Sequence, residues 1–469
     1  MAGVSATQPP CLAVACGAIG AFSRDRVRSL AASFERGLTV AHEGTGAILF
    51  TDRPPRRWTA AGRTGFSWGR ALPPPGAAAG WQDAARDGDC GLVLDPDGPF
   101  LHSSTPGVYP LYWHADADAV YFASLVDPLA RSAAQPLSVD WEAWAGTLTC
   151  GCPLGERTPF TEIRRLLPHA RLHAVNGAPR ASVEEWPWLA VEPRLTVEEG
   201  AGPLLEALRA LVARLPERPM PFALSGGLDS RILACVVAER RLGVTAYTGD
   251  ADSANDGERR AAAAVADALG LAHEEVPAGD EDYWLEAEER GLRTDFLRLA
   301  NPWLNPVHRR IATWGVPVLD GLGGDITCDR SRYVTPEMVD PDRPGMANPL
   351  WRGMRHERAI PLAGSLGEQL TESVRQQVRE MTRHLVGHPN RGIFGPYWTR
   401  MIGGVARVSM GSLGTQALVE APFVTDEVAR HSLAVAAHAK FGRSLRRAVL
   451  ALSNPTVATL PANHAPSVR

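Results

Sequence analysis

A polar turn, Ser225-Gly226-Gly227-Leu228-Asp229-Ser230, interrupts two apolar patterns. The short run Met220–Leu224 precedes it, and Ile232, Leu233, Val236 and Val237 follow it with helical spacing. The pattern reads as strand, tight turn, helix. Two consecutive glycines let backbone N–H groups approach a ligand with no Cβ in the way. The hydroxyls of Ser225 and Ser230 add donors, and the helix turns its positive end toward the same spot. An anion such as phosphate belongs there. Asp229 would repel phosphate unless a divalent cation lay between them, so it reads as a magnesium ligand; a simple helix-capping carboxylate is the alternative. A second string, Val316-Pro317-Val318-Leu319-Asp320-Gly321-Leu322-Gly323-Gly324-Asp325, again runs an apolar strand into glycines and an acid. Asp229 and Asp325 could share one cation or a pair of them. No G-K-[ST] follows the first turn, which excludes a Walker loop, and the dinucleotide fingerprint is absent too.

Several elements must position these turns. Thr196 to Leu215 predicts a helix, with Thr196 as cap and Glu198 or Glu199 in its first turn. Gly243–Thr248 reads as a second strand, Asp256–Leu269 as a helix closed by Gly270, and Ala272–Val276 as a third strand. Strand alternating with helix argues for a parallel sheet covered on both faces. Its ligand should lie at the carboxyl ends of the strands. That rule places Thr248, Gly249 and Asp250 beside the turn at Ser225. His273 reads as a structural hydrogen-bonding histidine. Arg231, on the first helical turn, either touches a phosphate or a substrate carboxylate or is a surface arginine. Beyond Asp325 the chain reads as helical to its end.

The N-terminal part differs in kind. Residues 1–10 read as frayed, and Cys11–Phe22 as a strand too short to span a bilayer and without a charged leader. Asp95-Pro96-Asp97-Gly98 and Ala115-Asp116-Ala117-Asp118 are hairpin signals, so an antiparallel-sheet domain is expected to about residue 190. Trp186–Leu195 reads as a packed linker. A length of 469 residues suggests two domains, 1–190 and 196–469. With 45% hydrophobic and 21% charged residues the chain is globular, and its formal charge of −4 argues against a general polyanion binder. No nucleic-acid or membrane role is expected. Seven cysteines in no regular framework suit a reducing, cytoplasmic setting, and Cys150-Gly151-Cys152 reads as buried thiols.

The first turn resembles the pyrophosphate loop of the ATP pyrophosphatases, and within them the asparagine synthetase group. Gly107–Trp113 (GVYPLYW), Phe122-Ala123-Ser124 and Thr158–Pro168 resemble strands of the class II glutamine amidotransferase domain, whose opening C-G-I-x-G looks like Cys16–Gly20. Gly414–Val424, Ser444–Leu450 and Leu460-Pro461 resemble later synthetase motifs, with the family arginine of the first replaced by Val419 or its neighbour. The resemblance implies an α/β chain: a degenerate, Ntn-type glutaminase-like β-rich domain, then a parallel-sheet ATP-pyrophosphatase (adenine nucleotide α-hydrolase-like) synthetase domain with a helical C-terminal part. It implies ATP and Mg2+ as cofactors. Main-chain groups at Leu224 and Thr248 would hold adenine; Ser225, Gly226, Gly227, Asp229, Ser230 and Gly249, with Asp320, Gly321, Gly323 and Gly324, would hold the rest of the nucleotide. Asp229 and Asp325 would bind metal and act with Arg231 in catalysis. Because fifteen residues precede Cys16, it lacks the free α-amine that serves such a cysteine as base, and the first domain is expected to be catalytically silent.

Two departures point to one branch of the group. Leu322 stands where asparagine synthetases have glutamate and β-lactam synthetases tyrosine, and it can neither donate nor accept. No lysine follows Pro461, where His464 or Arg469 could substitute. The lasso peptide macrolactam synthetases share S-G-G-x-D-S-R and a chain that ends soon after L-P. The resemblance therefore implies adenylation of an Asp or Glu side chain of a leader-free precursor peptide and ring closure by its N-terminal amine, with a leader-binding protein and a leader peptidase as further partners. The rivals are a β-lactam synthetase or other small-substrate amide ligase, and a nucleotide-binding regulator that has lost its chemistry.

Overall fold

Side chains alternate along the first strand, β1 (Ala15–Gly20), and both of its faces are buried. In the computed structural model, which describes residues 14–34, 37–72, 78–116, 119–175, 178–250, 256–277, 282–297, 301–329, 364–414 and 416–461, this strand lies inside a six-stranded antiparallel sheet. The readings made on residues 1–13, Thr415 and 462–469, His464 and Arg469 among them, lie outside the described residues.

The strands that follow are β2 (Thr39–Gly44), β3 (Ala47–Thr51), β4 (Arg56–Ala60), β5 (Arg63–Trp68), β6 (Cys90–Leu94), β7 (Phe100–His102), β8 (Tyr112–Ala115), β9 (Ala119–Ala123), β10 (Ile163–Arg165), β11 (Ala170–Val175) and β12 (Ala178–Val183). They form two sheets, ordered β10-β8-β9-β1-β3-β2 and β12-β11-β7-β6-β5-β4, with every pairing antiparallel. Ile19, Leu49 and Phe122 from the first sheet share one core with Leu92, Leu101 and Leu172 from the second. On the far side of the first sheet, Cys16, Ala18, Ile48 and Tyr121 pack with Val27 and Leu30 of the helix Arg24–Ala32. The first hairpin signal marks a turn, and the second flanks residues 117 and 118, which lie outside the described residues. Gly98 donates its N–H to the Asp95 carbonyl at φ +121°, and Asp116 donates to Ala119.

The second half is built on parallel strands. β13 (Met220–Ala223), β14 (Val244–Asp250) and β15 (Ala272–Pro277) pair in that order, all parallel. The helices Leu228–Glu239 and Asp256–Leu269 follow the first two strands. A further parallel pair, β16 (Val318–Leu319) with β17 (Val419–Glu420), lies with β16 beside β13. The helix Val197–Val212 starts in a full capping box of Thr196 with Glu199. Gly270, just past the helix Asp256–Leu269, adopts φ +64°, the left-handed cap its position predicts. The helical C-terminal part includes a run with π-helical hydrogen bonding, Tyr397–Val405 and Arg407–Leu413, which sequence periodicity did not announce. Among the described residues no helix is long and apolar enough to cross a membrane.

The two halves are joined by buried groups of both kinds. Trp186 and Trp188 of the tryptophan-rich linker pack against Tyr397, and Trp186 also meets Phe394 and Trp398. Arg70 pairs with Glu420 and Glu427, while the Leu72 N–H donates to the same Glu420 carboxylate at 3.0 Å. The Arg70 and Glu420 side chains are 2% and 0% exposed. Removing one partner strands the other's charge in the interior, so Arg70→Met should lower the unfolding free energy by about 3–5 kcal/mol. The urea midpoint is the measure. Arg24→Ala, which breaks the exposed Arg24–Glu43 pair, should leave that midpoint unchanged.

Candidate nucleotide and metal site

At the carboxyl end of β13 the chain turns through Ser225–Gly227 into the helix Leu228–Glu239, whose N-cap, Gly227, supplies no side-chain cap. The first-turn amides therefore have neither an intrahelical acceptor nor a side-chain partner at the cap. The serine hydroxyls shape this turn. The Ser230 hydroxyl accepts from Ser225 N–H at 3.2 Å and lies 3.1 Å and 3.2 Å from the Ser225 and Gly227 carbonyls. Ser225 Oγ accepts from the Gly227 N–H at 3.2 Å. The two hydroxyls also bond each other at 2.9 Å. Ser230, read from sequence as a donor to ligand, is buried and tied within the loop, because a hydroxyl has one proton and carbonyls surround it.

Leu224 donates its N–H to Tyr247 and accepts from the Thr248 hydroxyl at 2.8 Å, which joins the ends of β13 and β14. His273 Nε2 lies 2.9 Å from that hydroxyl, the structural bond expected of it. A Cβ on Gly249 would lie 3.2 Å from a Val307 methyl and 3.5 Å from the Trp303 carbonyl, a tight fit.

The second string arrives at the same place. A Cβ on Gly324 would collide with the Asp229 carboxylate, and one on Gly321 would come within 3.1 Å of the Asp229 Cβ. The two acidic turns are in direct contact. Gly323 holds φ +84° with Val424 and Met401 where a side chain would point, so the turn admits only glycine there. Asp325 is exposed in the first turn of the short helix Gly324–Thr327. Asp320, read as a nucleotide contact, uses its carboxylate on the turn itself: Oδ1 accepts from Leu322 N–H at 2.8 Å and from Ser409 Oγ at 2.9 Å. Its N–H donates to the Glu420 carbonyl of β17. The Leu322 side chain is buried in the hydrophobic core.

Arg231 corrects its sequence reading. It is fully buried and reaches neither acidic turn with a hydrogen bond; Nη1 and Nη2 donate to the carbonyls of Leu460 and Pro461. It fastens the last described residues to the helix that carries Asp229.

Three groups that sequence reasoning missed surround the turns. Arg446, on the helix Ser444–Ser453, donates from Nη1 to Asp229 Oδ1 and Oδ2 at 2.9 Å and 3.1 Å, and from Nη2 to Asp329 Oδ2 at 2.7 Å. Asp329 is buried behind the second turn. Lys440, fully buried, donates from Nζ to the Thr327 carbonyl at 3.0 Å. Arg446 sits inside the quoted string Ser444–Leu450, but no local pattern tells which of its two adjacent arginines turns inward. Burial pushes the Asp229 carboxyl above the usual carboxylate range; Arg446 opposes this, and Asp325 and then Asp329 reinforce it. Burial also pushes the Lys440 amine down to about 7, against the pull of Cys328 and Asp329.

Among the described residues no three His, Cys, Asp or Glu side chains gather to hold a metal unaided. A carboxylate at Asp229 against the turn that carries Asp325 could still serve magnesium, since that ion takes one or two carboxylates and fills its octahedron with water and phosphate oxygens. An open helix N-terminus beside them suits the phosphates. Residues 204–325 match the family model described as asparagine synthase, a stretch of about a quarter of the chain that contains both acidic turns. No curated protein matches the chain.

Two outcomes test this geometry. Gly324→Ala drives a methyl into Asp229, so magnesium–ATP affinity by calorimetry should fall on the order of tenfold or more. For Lys440 the folded-state pKa lies below the ordinary 10.5. The unfolded chain then binds more protons between about 7 and 10.5, and stability should rise with pH across that interval. Urea midpoints at pH 7 and 9 should show the rise in the wild type and lose it in Lys440→Met.

Proposed function

We propose that this chain is an ATP-dependent, AMP-forming amide ligase that closes a macrolactam in a leader-free peptide, joining an Asp or Glu side chain to the N-terminal amine. The asparagine synthase match supports the coarser part, ATP-dependent amide bond formation. The observation that carries the nucleotide chemistry is the contact of the Asp229 and Asp325 turns at an uncapped helix N-terminus. Main-chain groups at Leu224 and Thr248 would hold adenine, and the amides of Gly226 to Ser230 the phosphates. Asp229 and Asp325 would hold magnesium, which when bound neutralises the charge of departing pyrophosphate. The peptide carboxylate attacks the α-phosphorus and the bond to the bridging oxygen breaks. The amine then attacks the acyl carbon, and AMP leaves with the amine proton lost to solvent or a nearby base. The protein contributes orientation and fixed charge, and the peptide brings both reacting groups.

Three features support a substrate that carries its own amine. Cys16 sits fully buried within β1, and desolvation pushes its thiol far up, which disfavours the thiolate needed to release ammonia from glutamine. Leu322 brings no polar group to a position where the small-substrate relatives carry one. A groove of about 970 Å3 between the sandwich and the helix Gly364–Thr382 is lined by Leu154, Phe160, Trp186, Met381, His384 and Trp398. It contains no residue of either acidic turn. The run Tyr397–Val405 links them, with Trp398 on the groove and Met401 against Gly323. We assign the groove to the non-reacting part of the peptide, supplied by a leader peptidase and a leader-binding protein.

Linear peptides with a free N-terminus and one acidic side chain several residues on, incubated with ATP and Mg2+, should lose the mass of one water with one AMP formed per ring. Asp229→Asn and Asp325→Asn should each slow this on the order of 100-fold. Turnover of a small amino diacid with none of any peptide would overturn the peptide assignment.

A further inference from the structure

Arg446 is the strongest charge on the candidate metal ligands, and the proposed chemistry leaves it unused. Its side chain is 8% exposed, and its guanidinium spans two carboxylates, taking both oxygens of Asp229 through Nη1 and one of Asp329 through Nη2. Its Nε–H is buried and has no partner among the described residues. The helix that carries it packs on both Val197–Val212 and the Asp229 helix, so the arginine is held in place from both sides. In the unliganded protein one guanidinium is thus shared by two carboxylates, and both Asp229 oxygens already have a cationic partner.

We infer that Arg446 makes this site selective for the metal–nucleotide complex over the free metal ion. The inference rests on the nucleotide reading above. A bare divalent cation approaching Asp229 meets a guanidinium that already bonds both carboxylate oxygens, with Asp325 as the one remaining acid of the pair. Like charges forced together in a poorly solvated place repel strongly. A cation that arrives bound to a triphosphate brings an excess of negative charge, and the same guanidinium then attracts it. A planar guanidinium suits this exchange, because its several N–H groups can hold Asp329 while others turn from carboxylate to phosphate. Asp329, behind the turn, anchors the arginine. Arg446 is in this account a selectivity residue: it screens Asp229 from a bare cation and turns to the phosphate when the nucleotide arrives.

The test uses the full chain and Mn2+ as the paramagnetic probe: free ion is counted by electron paramagnetic resonance without ATP, and protein-bound Mn2+ is counted after equilibrium dialysis against Mn2+–ATP. Wild type should take up Mn2+ with ATP on the order of tenfold or more tightly than Mn2+ alone. Arg446→Gln should tighten Mn2+ alone by a similar factor and weaken Mn2+ with ATP, so the preference collapses. Loss of structure cannot mimic a gain in binding. If Arg446→Gln does not fold, the charge-balanced pair Arg446→Met with Asp329→Asn should show the same gain. Wild type that binds Mn2+ equally well with and without ATP would overturn the selectivity alone. So would folded variants whose uptake of Mn2+ alone is unchanged. Wild type that binds no Mn2+–ATP at all would overturn the nucleotide reading together with it.

Discussion

The close approach of one glycine-bearing turn to the carboxylate carried by the other is the constraint on which the rest depends. Gly321 and Gly324 have no side chain, and Asp229 occupies the space that a Cβ would take. Sequence-distant acids are brought to one edge because β13 and β16 lie side by side, each running into its turn at the same end. The chain moves outward from β13 through β14 to β15 and then returns to β13's neighbour. That return opens the crevice where α/β sheets take their ligands.

Holding acids together in a poorly solvated place costs free energy, and the structure offsets it with buried cations. Arg446 and Lys440 come from the last fifth of the chain and approach the second turn from behind, at Asp329 and at the Thr327 carbonyl. Arg231 then ties Leu460 and Pro461 back onto the Asp229 helix. The C-terminal helices therefore act as an electrostatic backing for the turns. Interactions of this kind are strong because the interior screens them weakly.

The β-sandwich contributes support of another sort. β17 is gripped from the sandwich side by Arg70 and the Leu72 amide at Glu420 and by the Tyr109 hydroxyl at the Val419 carbonyl. The backbone of Glu420 in turn receives the Asp320 N–H at the start of the second turn. A line of bonded groups thus runs from the first sheet pair to the turn that carries Asp325. The sandwich thus fixes β17, to which the start of the second turn is bonded.

What the sequence determined alone was local. The S-G-G-x-D-S turn, the Thr196 capping box, the Gly270 cap and the Asp95–Gly98 hairpin are legible because each rests on near neighbours and on the conformations glycine, serine and aspartate allow. The class of the two halves was legible too, from turn spacing in one and strand–helix alternation in the other. Tertiary structure decided which side chains face which. Arg231 looks like a phosphate contact on a helix diagram, yet it rotates into the interior toward Leu460; Arg446 looks like one of two surface arginines, yet it joins Asp229 to Asp329. Ser230 and Asp320 have the right chemistry for a ligand, but Ser230 is tied within its own loop and Asp320 Oδ1 is held by Leu322 and Ser409. Partners separated by more than two hundred residues, as Asp229 and Arg446 are, meet only through packing, and no local periodicity encodes that meeting.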